Sequence, residues 1–298
     1  MKVNTSKGYL MYAYNNLHID YGTIALCNAF LIKRNCKINS VALVTSSWTL
    51  DYLYTKYSKK FLNAAWDEII IKDLPDIDNI AERRFSDTRY TKFSGKYFNT
   101  NRSSAYDFSP FDETILLDAD YLMLDNTMDH VWNSDEDFMC NNKIVGLDHK
   151  PHPPGFEKRL SDMSVPMYWA TAVYFQKTDK SKIIFDHITF VKENYNFYRQ
   201  LYNFTPNVFF RNDYSISIGI HLVNKCIEIG NISSLPVDYI KVSQEFDEIH
   251  DFVDGNLIIT SEQEQGKFLL HRVLNNVHIM NKPAIVRNSK KIIDYAIS

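Results

Sequence analysis

Short apolar runs alternate with amphipathic stretches along the first half of the chain. Tyr9, Leu10, Met11, Tyr12, Ala13 and Tyr14 make a run of strand length, closed by Asn15 and Asn16. Between about 19 and 33, Ile24, Cys27, Phe30 and Leu31 fall on or beside one stripe, which predicts a helix. Further strands are predicted over 41–44 and 68–71, with a helix over 49–57. A short helix over 102–108 stops near Pro110, and Thr114, Ile115, Leu116 and Leu117 form the next buried strand. Later come strands over 143–147 and 168–175, a long helix over 180–202 and another over 213–223. Residues 73–100 keep no period and are expected as loops over the active face, and 229–298 as short strands and loops. Strands alternating with helices predict an α/β fold, a mostly parallel twisted sheet with helices on both faces.

The run over 114–117 ends at two carboxylates, Asp118 and Asp120. Residues i and i+2 of a strand share a face, so both can project together from its end. In open α/β sheets ligands bind at the carboxyl ends of the strands. Convergent carboxylates there suit a hard divalent cation such as Mn²⁺ or Mg²⁺, which can also hold phosphates. A D-x-D pair by itself is common on solvated turns, and its place directly after a buried strand is what singles it out. Asp125 and Asp129 beyond it read as cap and surface positions.

Composition narrows the class. The 298 residues are 45% hydrophobic and 23% charged with 9 Gly and 9 Pro, too apolar for a disordered chain. There is no internal repeat, low-complexity tract or linker, so one domain over 1–298 is expected. A net charge of −3 creates no global field for nucleic acid, although Arg83, Arg84, Arg89, Lys92 and Lys96 form a local basic cluster. The C-terminal Lys282, Arg287, Lys290 and Lys291 read first as a solvated face. Cys27, Cys36, Cys140 and Cys226 have no metal spacing, no apolar leader follows Met1, and no run approaches a membrane span. A reduced, cytoplasmic, soluble protein is the expectation.

The stretch from Arg102 through Asp120, followed by Tyr121 and Leu122, resembles the region through the D-x-D of GT-A-fold glycosyltransferases, especially the glycogenin-like family 8. That pattern has a basic residue on a short helix (here Arg102), aromatics (Tyr106, Phe111), a strand, then D-A-D (Asp118, Ala119, Asp120). Tyr14, Asn15 and Asn16 with Tyr21 resemble the first-strand segment that holds the nucleotide base. Residues 169–173, with Thr171 where the family has Asn, resemble the strand bordering the sugar pocket. Arg211, Asn212, Asp213 and Tyr214 resemble the D-Q segment, with Tyr in place of Gln. Val277 and His278 with Lys282 and Pro283 resemble H-x-x-G-x-x-K-P, two residues short and without its Gly. The segment from Asn101 to Asp120 is also similar to glycosyltransferase-like proteins of large tailed phages.

The resemblance implies a GT-A-like catalytic domain whose first half, about 1–150, binds a nucleotide-sugar and whose remainder, about 151–298, binds an acceptor. It implies a cation held by Asp118, Asp120 and His278, with His271 as the alternative third ligand. It places a nucleoside-diphosphate sugar, a UDP-sugar first, against Asn16, Tyr21, Arg102, Ala119, Thr171 and Lys282. Asp213 would meet donor sugar or acceptor as the catalytic residue; read without the family, it is equally suited to a helix N-cap. Retention of configuration goes with family 8. Phage kinship adds a hydroxymethylated pyrimidine in duplex DNA as an acceptor and the host cytoplasm as location; protein and glycan acceptors stay open. Chemically, Arg102 can fork two phosphate or ribose oxygens, or make a helix-surface ion pair. Tyr21 can stack on a base or pack in the core.

Two other classes stand beside this reading. A nucleotidyltransferase shares the parallel sheet and acidic metal site but needs a Gly-rich phosphate loop, which 15–18 lack. A binding module could keep the fold without chemistry. No P-loop, G-x-G-x-x-G, H-E-x-x-H or G-x-S-x-G occurs.

Overall fold

The computed structural model describes residues 6–73, 82–88, 90–153, 155–161, 165–202, 210–224, 232–237, 239–264 and 266–298. Arg89 of the basic cluster and Cys226 lie outside them.

The chain opens on β1 (Lys7–Tyr12) and α1 (Tyr21–Asn35). Then come β2 (Val41–Thr45), α2 (Ser47–Lys56), α3 (Lys59–Ala65) and β3 (Glu68–Ile71). Asp20, Ser46 and Ser58 cap the three helices, each side chain accepting an amide of the first turn. A hairpin of β4 (Glu82–Ser86) and β5 (Lys92–Lys96) follows, and then a 3₁₀ turn (Asn101–Ser104) running into α4 (Ala105–Phe108). Beyond lie β6 (Glu113–Asp118), β7 (Tyr121–Leu122), β8 (Phe138–Cys140), β9 (Ile144–Val145) and β10 (Ala172–Gln176). Next are α5 (Asp179–Glu193), α6 (Tyr195–Leu201), α7 (Asn212–Val223) and β11 (Ile240–Lys241). A meander of β12 (Glu248–Val253), β13 (Asn256–Glu264) and β14 (Lys267–Val273) leads to β15 (Val277–His278) and α8 (Lys282–Ile297).

The central sheet runs β3-β2-β1-β6-β10-β8. Its first four strands are parallel, and β10 is antiparallel to both β6 and β8. Alternate residues of each strand enter two apolar layers. Tyr9, Met11, Leu43, Ile115 and Leu117 pack with α1 and α8, while Leu10, Val44, Leu116 and Phe175 pack with α4, α5 and α7. Burial on both faces explains the continuous apolar runs. The expected α/β class, mostly parallel with helices on both faces, is the class observed.

Four local expectations change. Part of 73–100 forms the β4–β5 hairpin rather than loop alone. The helix expected over 180–202 divides at Asn194, which ends α5 and starts α6. The strands over 143–147 and 168–175 shrink: β9 pairs with β11 outside the main sheet, and only Ala172 onward joins the ladder. Finally, 229–298 contains α8, a full helix. Its signals were present: the Asn281 side chain caps the Ala284 amide, Pro283 sits in the first turn, and Ala284, Ile285, Ile292 and Ile293 make the buried stripe.

Candidate metal and nucleotide-sugar site

Parallel strands β1 and β6 end side by side, with Tyr12 paired to Asp118. Three residues on, Tyr121 of β7 pairs antiparallel with His278 of β15, and the Ile279 amide donates to the Asp120 carbonyl at 2.9 Å. This short ladder carries His278 across from the carboxylates. One ligand atom from each of Asp118, Asp120 and His278 lies within 4.8 Å of the others. His278 Nε2 is 3.3 Å from Asp120 Oδ1 and 3.8 Å from Asp118 Oδ2. His271 is elsewhere: its Nε2 meets Ser261 Oγ at 2.7 Å across β13 and β14.

Two cations complete the cluster. Lys282, first residue of α8, reaches Asp120 Oδ2 at 2.8 Å. Arg102 of the 3₁₀ turn donates from Nη1 to Asp118 Oδ1 at 2.7 Å. Arg102 is only 3% exposed, so the helix-surface alternative is replaced by a buried pair. Its Nε and Nη2 are buried and have no partner among the described residues.

The electrostatics follow from burial and pairing. Burial presses the Asp120 carboxyl upward, but Lys282 and His278 outweigh it and hold it far below the usual carboxylate range. For Asp118, burial dominates and the neighbouring Asp120 adds to it against Arg102, so its carboxyl is raised. Burial alone would lower the His278 imidazole; the Asp120 and Asp118 carboxylates reverse that and raise it. Thr171 Oγ1 lies 3.2 Å from His278 Nδ1. A neutral His278 that donates from Nδ1 to Thr171 turns the Nε2 lone pair toward the carboxylates. Thr171 is itself pinned by its carbonyl accepting the Asp118 amide at 2.8 Å.

These groups line a cleft of about 1460 Å³. Tyr21, Arg102, Asp118, Ala119, Asp120, Thr171, Asp213, His278 and Lys282 all face it, bringing together nine of the ten residues singled out from sequence. Asn16 is not among the lining residues. Its Oδ1 accepts the His18 and Ile19 amides at 2.8 Å and its Nδ2 donates to the Lys96 carbonyl, so its polar atoms fix the turn before α1. Tyr21 is buried, and its hydroxyl has no partner among the described residues. Asp213 is no N-cap: Arg211 holds that position, and Asp213 accepts from the Ala170 amide at 2.8 Å and from Arg211 Nη2 at 2.9 Å.

Sequence reading did not reach Tyr97, Asn99 or the segment over 244–247, which also line the cleft. Asn99 Oδ1 accepts the Tyr14 amide at 3.1 Å and its carbonyl accepts Asn212 Nδ2 at 2.8 Å, while its Nδ2 has no partner among the described residues. It lies in an aperiodic stretch, where no pattern marks such a residue.

No protein-family model matches the chain, and no curated protein does. Among solved structures, the glycosyltransferase GlyE of Streptococcus pneumoniae TIGR4 aligns at 12% identity and TM-score 0.39, covering 78% of this chain and 45% of that one. The chain thus spans under half the length of GlyE. A galactosyltransferase LgtC, solved with donor and acceptor sugar analogs, aligns at 12% identity and TM-score 0.42 over 71% and 69%. A putative glucose-1-phosphate thymidylyltransferase of Bacillus anthracis aligns at 9% identity and TM-score 0.36 over 78% and 99%.

Proposed function

We propose that this chain is a metal-dependent glycosyltransferase of the GT-A kind, moving a sugar from a nucleoside-diphosphate sugar to a hydroxyl acceptor. The observation that carries the reading is the closure of Asp118, Asp120 and His278 into one ligand set beside Arg102, which has two buried N–H groups without a partner among the described residues. Two carboxylates and an imidazole fit Mn²⁺ or Mg²⁺. When bound, the cation neutralises the diphosphate as negative charge develops on the leaving group.

The chain's own residues do the rest. Arg102 offers Nε and Nη2 to diphosphate or ribose oxygens. Lys282, at the positive end of α8, adds a point charge within the same cleft. Asp213, fixed by Arg211 and the Ala170 amide, meets the donor sugar or the acceptor. The donor is a UDP-sugar in this reading, and retention of configuration follows the family-8 resemblance.

For the acceptor, the cleft carries both signs. Arg83 and Arg84 line it, as a DNA acceptor requires, and Lys150 there is paired with Asp148, but Glu245, Asp247 and Glu262 also line it and repel a phosphate backbone. The balance favours a neutral hydroxyl compound over hydroxymethylated duplex DNA. Thermal shift with UDP, GDP, CDP and TDP, with and without Mn²⁺, tests the donor site: one diphosphate should stabilise the protein only with metal, and Asp118→Asn or Asp120→Asn should abolish the effect. No response to any of the four refutes the reading. Transfer to hydroxymethylated but not plain duplex would reinstate the DNA acceptor.

A further inference from the structure

The cleft has a carboxylate that the donor site does not use. Asp247 closes the turn over 243–247, which joins β11 to the meander. This turn is fastened at both sides: the Ser243 amide donates to the His278 carbonyl at 3.0 Å, and Ser86 Oγ of the β4–β5 hairpin donates to Glu245 Oε2 at 3.3 Å. Within it, Asp247 Oδ2 accepts the Gln244 amide at 2.8 Å. Asp247 lines the cleft, is 3% exposed, and its Oδ1 is buried with no donor among the described residues.

That sets it apart from the other aspartates of the cleft. Asp118 meets Arg102, Asp120 meets Lys282, Asp148 meets Lys150, and Asp213 meets Arg211. Buried carboxylate oxygens are normally satisfied, because an unpaired one forfeits its hydration with nothing in return. Local rules are most often broken where a ligand completes the site. Burial pushes the Asp247 carboxyl up to about 6, as expected for a group awaiting a donor.

We propose that Asp247 Oδ1 accepts a hydrogen bond from a sugar hydroxyl in the cleft, making Asp247 a determinant of sugar specificity. A hydroxyl is the donor that suits it: Arg83 is engaged with the Phe210 carbonyl at 3.2 Å and with the Tyr97 ring at 3.6 Å. The hydroxyl belongs either to the donor's sugar or to a carbohydrate acceptor. The inference rests on the transferase reading only for that choice.

The test is saturation-transfer NMR and titration on the full chain with three probes. They are the nucleoside diphosphate that stabilises the protein, its glucose conjugate, and free methyl β-D-glucopyranoside. Asp247→Ala should weaken a sugar-bearing probe by about tenfold or more, while the bare diphosphate keeps its affinity within about twofold. Asp247→Asn, which keeps an acceptor oxygen, should recover most of the loss. An effect on the glucose conjugate alone assigns the donor sugar; an effect on the glycoside alone assigns the acceptor. Sugar affinities within twofold of wild type, equal weakening of the bare diphosphate, or no sugar probe binding the wild type would overturn the proposal. If no diphosphate binds the wild type, the transferase reading falls while the glycoside arm still decides Asp247.

Discussion

Asp120→Asn perturbs the metal site at the more buried of its two carboxylates. The Asp120 side chain is 6% exposed and its partner Lys282 13%, so both ions are largely desolvated and depend on their 2.8 Å contact. Neutralising one leaves an ammonium in the interior with no counter-charge, a change that costs about 3–5 kcal/mol when a buried pair is broken. A chain of 298 residues unfolds with an entropy of about 0.6 kcal/mol per kelvin, so Tm should fall by about 5–8 °C. Calorimetry with chelator present reads this apo effect. Adding Lys282→Met removes the stranded ammonium, and the double variant should return to within about 1–2 kcal/mol of wild type. With Mn²⁺ and the cognate diphosphate at a hundred times Kd, wild type should gain about 2.7 kcal/mol and both variants nothing. A single variant within 1 °C of wild type, or two substitutions whose costs simply add, would refute the claim that these charges form one desolvated unit.

Other predictions concern the neighbours. The His278 imidazole is raised in the fold, so its protonated form stabilises the apo protein fully below the unfolded value near 6.5, and that contribution is lost as pH rises through the folded value. The metal needs the neutral ring, so Mn²⁺-dependent stabilisation should strengthen over the same rise, and calorimetric titrations at pH 6 and 8 should differ for wild type but far less for His278→Ala. Thr171→Val removes the oxygen 3.2 Å from Nδ1 and should weaken Mn²⁺ by about 10–100-fold without unfolding the protein; unchanged affinity by electron paramagnetic resonance would exclude an orienting role. Arg102→Lys keeps the charge but loses the fork, and should raise the diphosphate Kd by about tenfold or more in the presence of Mn²⁺.

What the sequence made legible was whatever a short window encodes. The strand ending in Asp118 is an apolar run of fixed length, and the i, i+2 spacing of the carboxylates needs only strand geometry. The alternation of runs and stripes yielded the sheet class, because strands buried on both faces cannot hide their composition. Asn194 was harder: Phe190 and Tyr198 on either side keep an aromatic helical surface going, and nothing in the spacing marks the break where two helices share one cap. In the β4–β5 hairpin, β5 alternates exposed and half-buried positions of mixed chemistry while β4 ends on the buried Phe85 and Ser86, so the two strands share no clean two-residue period.

The core of the site was legible only in pieces, because its energy lies in contacts between distant segments. Arg102, Asp118, Asp120, Thr171, His278 and Lys282 come from four stretches of chain; the β6–β10 pairing sets Thr171 beside Asp118 and the two-residue β7–β15 ladder brings in His278 and Lys282. Two carboxylates and two cations, paired at 2.7 and 2.8 Å, leave the cluster without net charge when His278 is neutral. That balance explains how so many ionisable groups sit at one strand end of a folded chain, since each of these buried charges has its partner. It also separates Asp118, Asp120 and Asp213 from Asp247. The first three are satisfied within the chain, and their place in a ligand site rests on geometry. Asp247 keeps a buried oxygen with no donor among the described residues, so it is the position where the fold calls for something from outside.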